Sequence, residues 1–270
     1  MHDRDYKAYL IDLDGTMYRG GQVIDEAPGF IKWLRSKDIP FLFLTNNSSL
    51  TQVQLAKKLS DMGISCTPSN VFTTGMATAE FITTEAQGKK VYIIGEEGLI
   101  EALKEKDCML SEECPDYVVV GIDRQITYEK MVNASLAIQK GARFLSTNSD
   151  RAVPTERGLV PGNGAITAAI AVASGTEPQF IGKPQALFVE LALKKLNMQP
   201  DDVLLVGDNL HTDILAGVSA NVDTLLVYTG ITKAEDVERE GIRPTFAVAH
   251  LKEWMDKVEG IAIHGKTKGF

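Results

Sequence analysis

The chain has few of the residues that build the commonest metal and redox sites. Its three cysteines, Cys66, Cys108 and Cys114, are an odd, scattered set without a CxxC pair. That argues against a disulfide framework or a zinc site and for a reduced, cytoplasmic setting. Its four histidines, His2, His211, His250 and His264, are equally dispersed, so neither a histidine-ligated metal nor a Ser-His-Asp relay is suggested. No apolar run approaches the length of a membrane span. The stretch Met1-His2-Asp3-Arg4-Asp5 is polar and leads straight into a strand-like run, unlike a signal peptide. The net charge is −8, with no basic cluster. Nucleic acids and anionic membranes, which are held by clustered Lys and Arg, are therefore not expected partners. An anionic small molecule would need a local cation or metal. Internal repeats, low-complexity segments and long linkers are absent too. The run Gly158-Leu159-Val160-Pro161-Gly162-Asn163-Gly164 fits neither the Walker pattern nor GxGxxG, and reads as a turn into a helix from Ala165.

What is present is a regular alternation of strand-like and helix-like runs, which predicts an α/β fold with mainly parallel strands. Lys7–Leu13 reads as the first strand, followed by a helix opened by Glu26-Ala27-Pro28, where an acid and a proline suit a helix start. Pro40–Thr45 is a fully apolar second strand, as expected where both sheet faces are covered. Thr51–Met62 has helical spacing and Asn70–Thr74 reads as a short third strand. Strands at Lys90–Ile94, Tyr117–Ile122 and Arg143–Ser146, with helices between, extend the alternation through a chemically quieter block. Gln179–Gly182 then resumes the first pattern, with Val203–Val206 and Thr224–Tyr228 as later strands and a closing helix by Val258. The expected architecture is a Rossmann-like doubly wound parallel core, residues 1–76 and 179–270, interrupted by a smaller inserted α/β domain, residues 77–178.

Four polar spots fall at expected strand ends: Asp12/Asp14, Thr45/Asn46/Asn47, Lys183 and Asp208/Asp213. Open parallel sheets bind ligands outside the carboxyl ends of their strands, so these spots can converge across more than half the chain. Taken singly, each has a plainer explanation. Asp-Gly-Thr is a natural turn, Asp208 and Asp213 suit a helix start, Thr45-Asn46-Asn47 suits a capped loop, and Lys183 suits a solvated surface. Together they suggest one site. Crowded carboxylates repel unless a proton or cation lies among them. Mg²⁺ takes carboxylate oxygens and completes its shell with water and phosphate. Carboxylates of Asp12 and Asp208, the backbone carbonyl of Asp14, and Asp213 through water make a fitting set. Thr45, Asn46 and Asn47 offer a phosphate cradle ahead of a helix, and Lys183 a point charge for a phosphoryl oxygen.

In these residues the chain resembles the haloacid dehalogenase (HAD) superfamily. Asp12-Leu13-Asp14-Gly15-Thr16 is similar to its first motif, Thr45-Asn46-Asn47 to its second, Lys183 to its third and Gly207-Asp208…Asp213 to its fourth. An insertion between the second and third motifs resembles the cap of the NagD-like, class IIA branch. Val120-Gly121-Ile122-Asp123-Arg124 and Leu159-Val160-Pro161-Gly162-Asn163-Gly164 fit that branch too. The resemblance implies a Mg²⁺-dependent phosphomonoester hydrolase in which Asp12 is the nucleophile and Asp14 the general acid/base. Thr45 and Asn46 would hold phosphate, Lys183 would stabilise charge, and Asp208 with Asp213 would hold the metal. Class IIA relatives act on small phosphorylated metabolites: nucleotide monophosphates, sugar phosphates, pyridoxal phosphate and aryl phosphates. Cap closure would exclude bulk water. Cap-mediated homodimers occur in this branch, which leaves that assembly open for this chain. A phosphotransferase or phosphomutase would use the same aspartyl-phosphate. A receiver-like signalling domain would use similar strand-end acids but needs neither this length nor a cap.

Overall fold

The computed structural model describes residues 5–85 and 88–260. In chain order the first part contains β1 (Ala8–Asp12), a small hairpin of β2 (Tyr18–Arg19) and β3 (Gln22–Val23), α1 (Ala27–Ser36), β4 (Phe41–Thr45), α2 (Gln52–Asp61), β5 (Val71–Thr73) and α3 (Thr74–Thr84). The middle part contains β6 (Lys90–Ile94), α4 (Glu97–Glu105), β7 (Met109–Leu110), β8 (Tyr117–Val120), α5 (Tyr128–Gln139), β9 (Arg143–Ser146), a hairpin of β10 (Ala152–Thr155) and β11 (Gly158–Pro161), α6 (Asn163–Ser174) and β12 (Gln179–Phe180). The last part contains α7 (Ala186–Leu196), β13 (Val203–Gly207), α8 (Leu215–Ser219), β14 (Asp223–Val227), α9 (Ala234–Glu240), β15 (Phe246–Val248) and α10 (Leu251–Val258). No described helix is long and apolar enough to cross a membrane.

Six strands form a parallel sheet in the order β15-β14-β13-β1-β4-β5. All five residues of β1 are buried because helices cover both faces. Successive side chains alternate between those faces. Tyr9 and Ile11 join an aromatic cluster with Phe30 and Trp33 of α1 and Trp254 of α10, whereas Ala8 and Leu10 face Phe188 and Val189 of α7. Trp254 Nε1 donates to the Tyr9 hydroxyl at 3.1 Å, tying the closing helix to the central strand. Each large apolar side chain buried here contributes about 1.5–3 kcal/mol before chain entropy is subtracted. A capping box starts α2: Gln54 N–H donates to Thr51 Oγ1 at 3.2 Å, and Thr51 N–H donates to Gln54 Oε1 at 2.9 Å.

A second parallel sheet has the order β12-β9-β8-β6-β7. Gln179–Phe180, expected to return to the first sheet, instead pairs with β9 in the second. Two residues are too few to show a period, and only the partner strand decides the sheet. The expected strand Tyr117–Ile122 stops at Val120, with Gly121 N–H still donating to the Ile94 carbonyl at 2.7 Å. The two sheets share an apolar layer: Leu42, Leu44 and Phe72 belong to the same buried cluster as Leu99, Leu103 and Val119.

Candidate active site

Strand β1 lies between β4 and β13, and the chain leaves it toward opposite sides, which is where a parallel sheet opens a crevice. Register sets the first contacts. Asp12 is level with Leu44, so Thr45 stands one residue beyond it. Ile11 is level with Val206, which brings Gly207 beside Asp12 and Asp208 just past the edge. A π-helical turn, Leu210–Ile214, then carries Asp213 back toward the strand ends.

Lys183 arrives from the other sheet. Gly182 N–H donates to the Thr147 carbonyl at 2.9 Å, and the cis Lys183–Pro184 peptide leads into α7. The expected placement of Lys183 at a core strand end is therefore corrected: a strand of the smaller sheet delivers it. Its ammonium is buried and donates to Asp12 Oδ1, to Asp213 Oδ1 at 2.7 Å and to the Leu44 carbonyl at 3.3 Å. All three of its hydrogens are thus engaged. The adjacent carboxylates raise its pKa well above the ordinary lysine value although burial opposes them. It stays an ammonium.

Asp12, Asp208 and Asp213 are all buried, and each offers an oxygen within 4.8 Å of the others. Asp208 Oδ2 accepts from Ile231 N–H at 2.7 Å and Asp213 Oδ2 accepts from Asn209 N–H at 3.1 Å. Burial, then the nearby Asp213, pushes the Asp12 carboxyl well above the usual range against the pull of Lys183. The same two causes push Asp208 up to about 7. With all three carboxylates ionised, the single ammonium would leave two negative charges, which a divalent cation would offset. The donor set, Asp12, Asp208 and Asp213, is all oxygen, as Mg²⁺ requires. The residues fit that ion.

Backbone glycines make room around Asp208. Gly15 has φ +89°, a left-handed conformation, and a Cβ there or on Gly230 would collide with the Asp208 carboxylate.

Asp14 is exposed at the lip of the site. Partial desolvation raises its carboxyl, while Lys58 and a hydrogen bond from the Tyr18 hydroxyl lower it, with a net upward shift. Lys58 Nζ also stands 4.0 Å from the Tyr18 ring centroid.

The expected phosphate residues divide. The Thr45 hydroxyl accepts from Asn47 N–H at 3.1 Å and keeps its own hydrogen to donate. The Asn46 carboxamide instead brackets the Lys183 peptide, accepting its N–H at 3.0 Å and donating to its carbonyl at 3.1 Å. Asn47 Oδ1 accepts from Ser49 N–H, Ser49 Oγ and Leu50 N–H, so its side chain closes the loop ahead of α2. His211 is exposed, and its Nε2 stands 3.6 Å from Glu240 Oε2. Sequence reasoning missed Tyr18, Gly230 and Asp150, whose carboxylate accepts from Asn46 Nδ2 at 3.3 and 3.4 Å. Asn148-Ser149-Asp150 follows β9 as Asn46-Asn47 follows β4, so the strand-end signal was available there as well.

Comparison with known proteins agrees with this geometry. A haloacid dehalogenase-like hydrolase model matches residues 9–108, and a HAD-hydrolase-like model matches residues 180–254. The chain is 50% identical over 252 residues to a Bacillus subtilis protein called 5′-nucleotidase YutF, covering 93% of this chain and 98% of that one. It superposes on a 4-nitrophenylphosphatase from Thermotoga maritima with a TM-score of 0.88 at 32% identity, covering 95% of this chain and 98% of the other. It superposes on NagD from Escherichia coli K-12 with a TM-score of 0.87 at 33% identity, covering 92% and 98%. The chain belongs to the haloacid dehalogenase-like hydrolase family, within its NagD-like phosphatase branch.

Proposed function

We propose that the protein hydrolyses phosphomonoesters of small metabolites through an aspartyl-phosphate on Asp12, with Mg²⁺ bound by Asp12, Asp208, Asp213 and the Asp14 backbone. The observation that carries this is Lys183, buried and shared between Asp12 and Asp213 within a set of three converging acids. A lysine spent on two carboxylates makes a poor stability device, since a buried ion pair is costly to desolvate. It makes a good way to orient a nucleophile and meet phosphoryl charge. Lys183 holds Asp12 through Oδ1, and Oδ2 takes no hydrogen bond among the described residues.

In the first step a carboxylate oxygen of Asp12 bonds to phosphorus, the ester P–O bond breaks, and Asp14 protonates the departing alkoxide. In the second step Asp14 takes a proton from water as its oxygen attacks phosphorus. The bond to Asp12 breaks, and phosphate and the free carboxylate are restored. Partial desolvation moves the Asp14 carboxyl upward, the direction that favours a group which must hold and return a proton. The Thr45 hydroxyl donates to a phosphoryl oxygen, while Asn46 and Asn47 frame the loop that supports it. When bound, Mg²⁺ supplies Lewis-acid stabilisation of the phosphoryl oxygens.

The substrates fitting this reading are nucleotide monophosphates, sugar phosphates and aryl phosphates. Residues 1–76 and 179–270 form the catalytic core and 77–178 the cap, with Gln179–Phe180 paired to the cap sheet. The free thiols Cys66, Cys108 and Cys114 suit a cytoplasmic protein. Phosphate release from p-nitrophenyl phosphate and a metabolite panel in Mg²⁺, without an added acceptor, tests the proposal. Asp12→Asn should lose about 10⁴-fold or more in kcat; near-native turnover by that variant would sink the mechanism.

A further inference from the structure

We propose that Asp150, carried on the loop after β9, is a positioning residue for phosphoryl transfer: it fixes the Asn46 carboxamide, which brackets the Lys183 peptide and so sets where the Lys183 ammonium meets Asp12. This rests on the phosphatase reading above and adds a residue from the smaller sheet to its machinery.

The contacts form a continuous path. The Asn46 amide has two hydrogens on Nδ2. One goes to the Lys183 carbonyl at 3.1 Å and the other is shared by the two Asp150 oxygens at 3.3 and 3.4 Å. Its Oδ1 takes the Lys183 N–H at 3.0 Å. With those partners only one amide orientation satisfies every group, because a flip would set a carbonyl oxygen against a carboxylate. Asp150 has no ion-pair partner among the described residues, and burial holds its carboxyl above the ordinary range. Stabilisation alone is therefore a weak account of an acid at this place.

Asp150 is itself held from behind. Its N–H donates to Asn148 Oδ1 at 3.1 Å, and Asn148 Nδ2 donates to the Asn46 carbonyl at 2.8 Å. Gly164 N–H donates to the Asp150 carbonyl at 2.8 Å and Gly162 N–H to the Arg151 carbonyl at 3.0 Å. Asn163 Nδ2 donates to the Asn148 carbonyl at 2.7 Å and to Ser146 Oγ at 2.9 Å. The Pro161-Gly162-Asn163-Gly164 run, which resembles a simple turn in sequence, is thus the buttress of this loop. Rigid support behind a group that orients another is what holds a catalytic atom within a fraction of an ångström.

The test is steady-state kinetics on p-nitrophenyl phosphate with Mg²⁺, using the full chain. Asp150→Ala should lower kcat by about 10²-fold, the cost of a misplacement near 1 Å, with KM within about threefold and the thermal midpoint little changed. Asp150→Asn keeps an acceptor oxygen for Asn46 and should recover most of the loss. In an Asn46→Ala background, Asp150→Ala should add less than about twofold, because its effect passes through Asn46. Should the alanine variant not fold, Asp150→Ser, too short to reach Asn46, takes its place. Wild-type kcat in the truncated variant overturns the proposal. So does a loss confined to KM, or an undiminished loss in the Asn46→Ala background. Absence of phosphate release by the wild-type protein would overturn the phosphatase reading instead.

Discussion

Asp208 makes the metal-free protein respond to pH in an unusual direction. Burial and Asp213 raise its carboxyl to about 7 in the folded chain, whereas the unfolded chain has an ordinary aspartate near 3.9. The folded state therefore binds the proton more tightly. The resulting stabilisation is complete below about pH 4, falls as pH rises through about 7, and is gone above it. A shift of about three units corresponds to about 4 kcal/mol at roughly 1.4 kcal/mol per unit. For a chain of this size that is about 10 °C in midpoint. The assay is thermal unfolding in a chelating buffer from about pH 4.5 to 8.5, comparing wild type with Asp208→Asn, which cannot titrate at this position. The variant should gain on the wild type as pH rises and level off above neutrality. Adding Mg²⁺ at the alkaline end should close much of the gap, because the ion neutralises carboxylates that otherwise repel. A wild-type-minus-variant difference that stays flat across the range would refute the reasoning.

Lys183→Met leaves Asp12 and Asp213 buried without their cation. It should cost about 3–5 kcal/mol of stability and about 10²–10³-fold in kcat, measured by chemical unfolding and phosphate release; an unchanged midpoint would contradict the buried triad. Tyr18→Phe removes a hydrogen bond that favours the ionised Asp14 carboxyl. The alkaline limb of the kcat/KM profile, where the first step loses its proton donor, should move to higher pH, with a loss under about tenfold at the optimum, and an unmoved limb would count against Asp14 as the general acid.

The strand ends were legible because an apolar run followed by acids is a local signal. Asp12, Thr45 and Asp208 each close a strand whose burial can be read from a handful of residues. Lys183 was legible as a residue but not in its route, since β12 is two residues long and its sheet depends on β9, more than 30 positions earlier. Asn46 was legible in chemistry but not in assignment. A carboxamide ahead of a helix can serve phosphate or backbone equally well, and only Lys183, 137 residues away, decides between them. Asp150 carried the same strand-end signal, but not its partner, because Asn46 lies 104 residues away. Tyr18 reaches Asp14 through a hairpin too short to leave a strand pattern.

The apolar layer joining the two sheets bears on how this enzyme could be rebuilt. Leu42, Leu44 and Phe72 share a dry interior with Leu99, Leu103 and Val119, with Ala77, Phe81 and Phe188 packed in the same layer. Cutting the insertion out at its sheet boundaries would strip one wall from that interior and expose it to water. A chimaera that borrows a relative's substrate-facing portion would therefore need to exchange α3, α4 and the facing surface of α7 together. The unit of transplantation is larger than the unit of chain insertion.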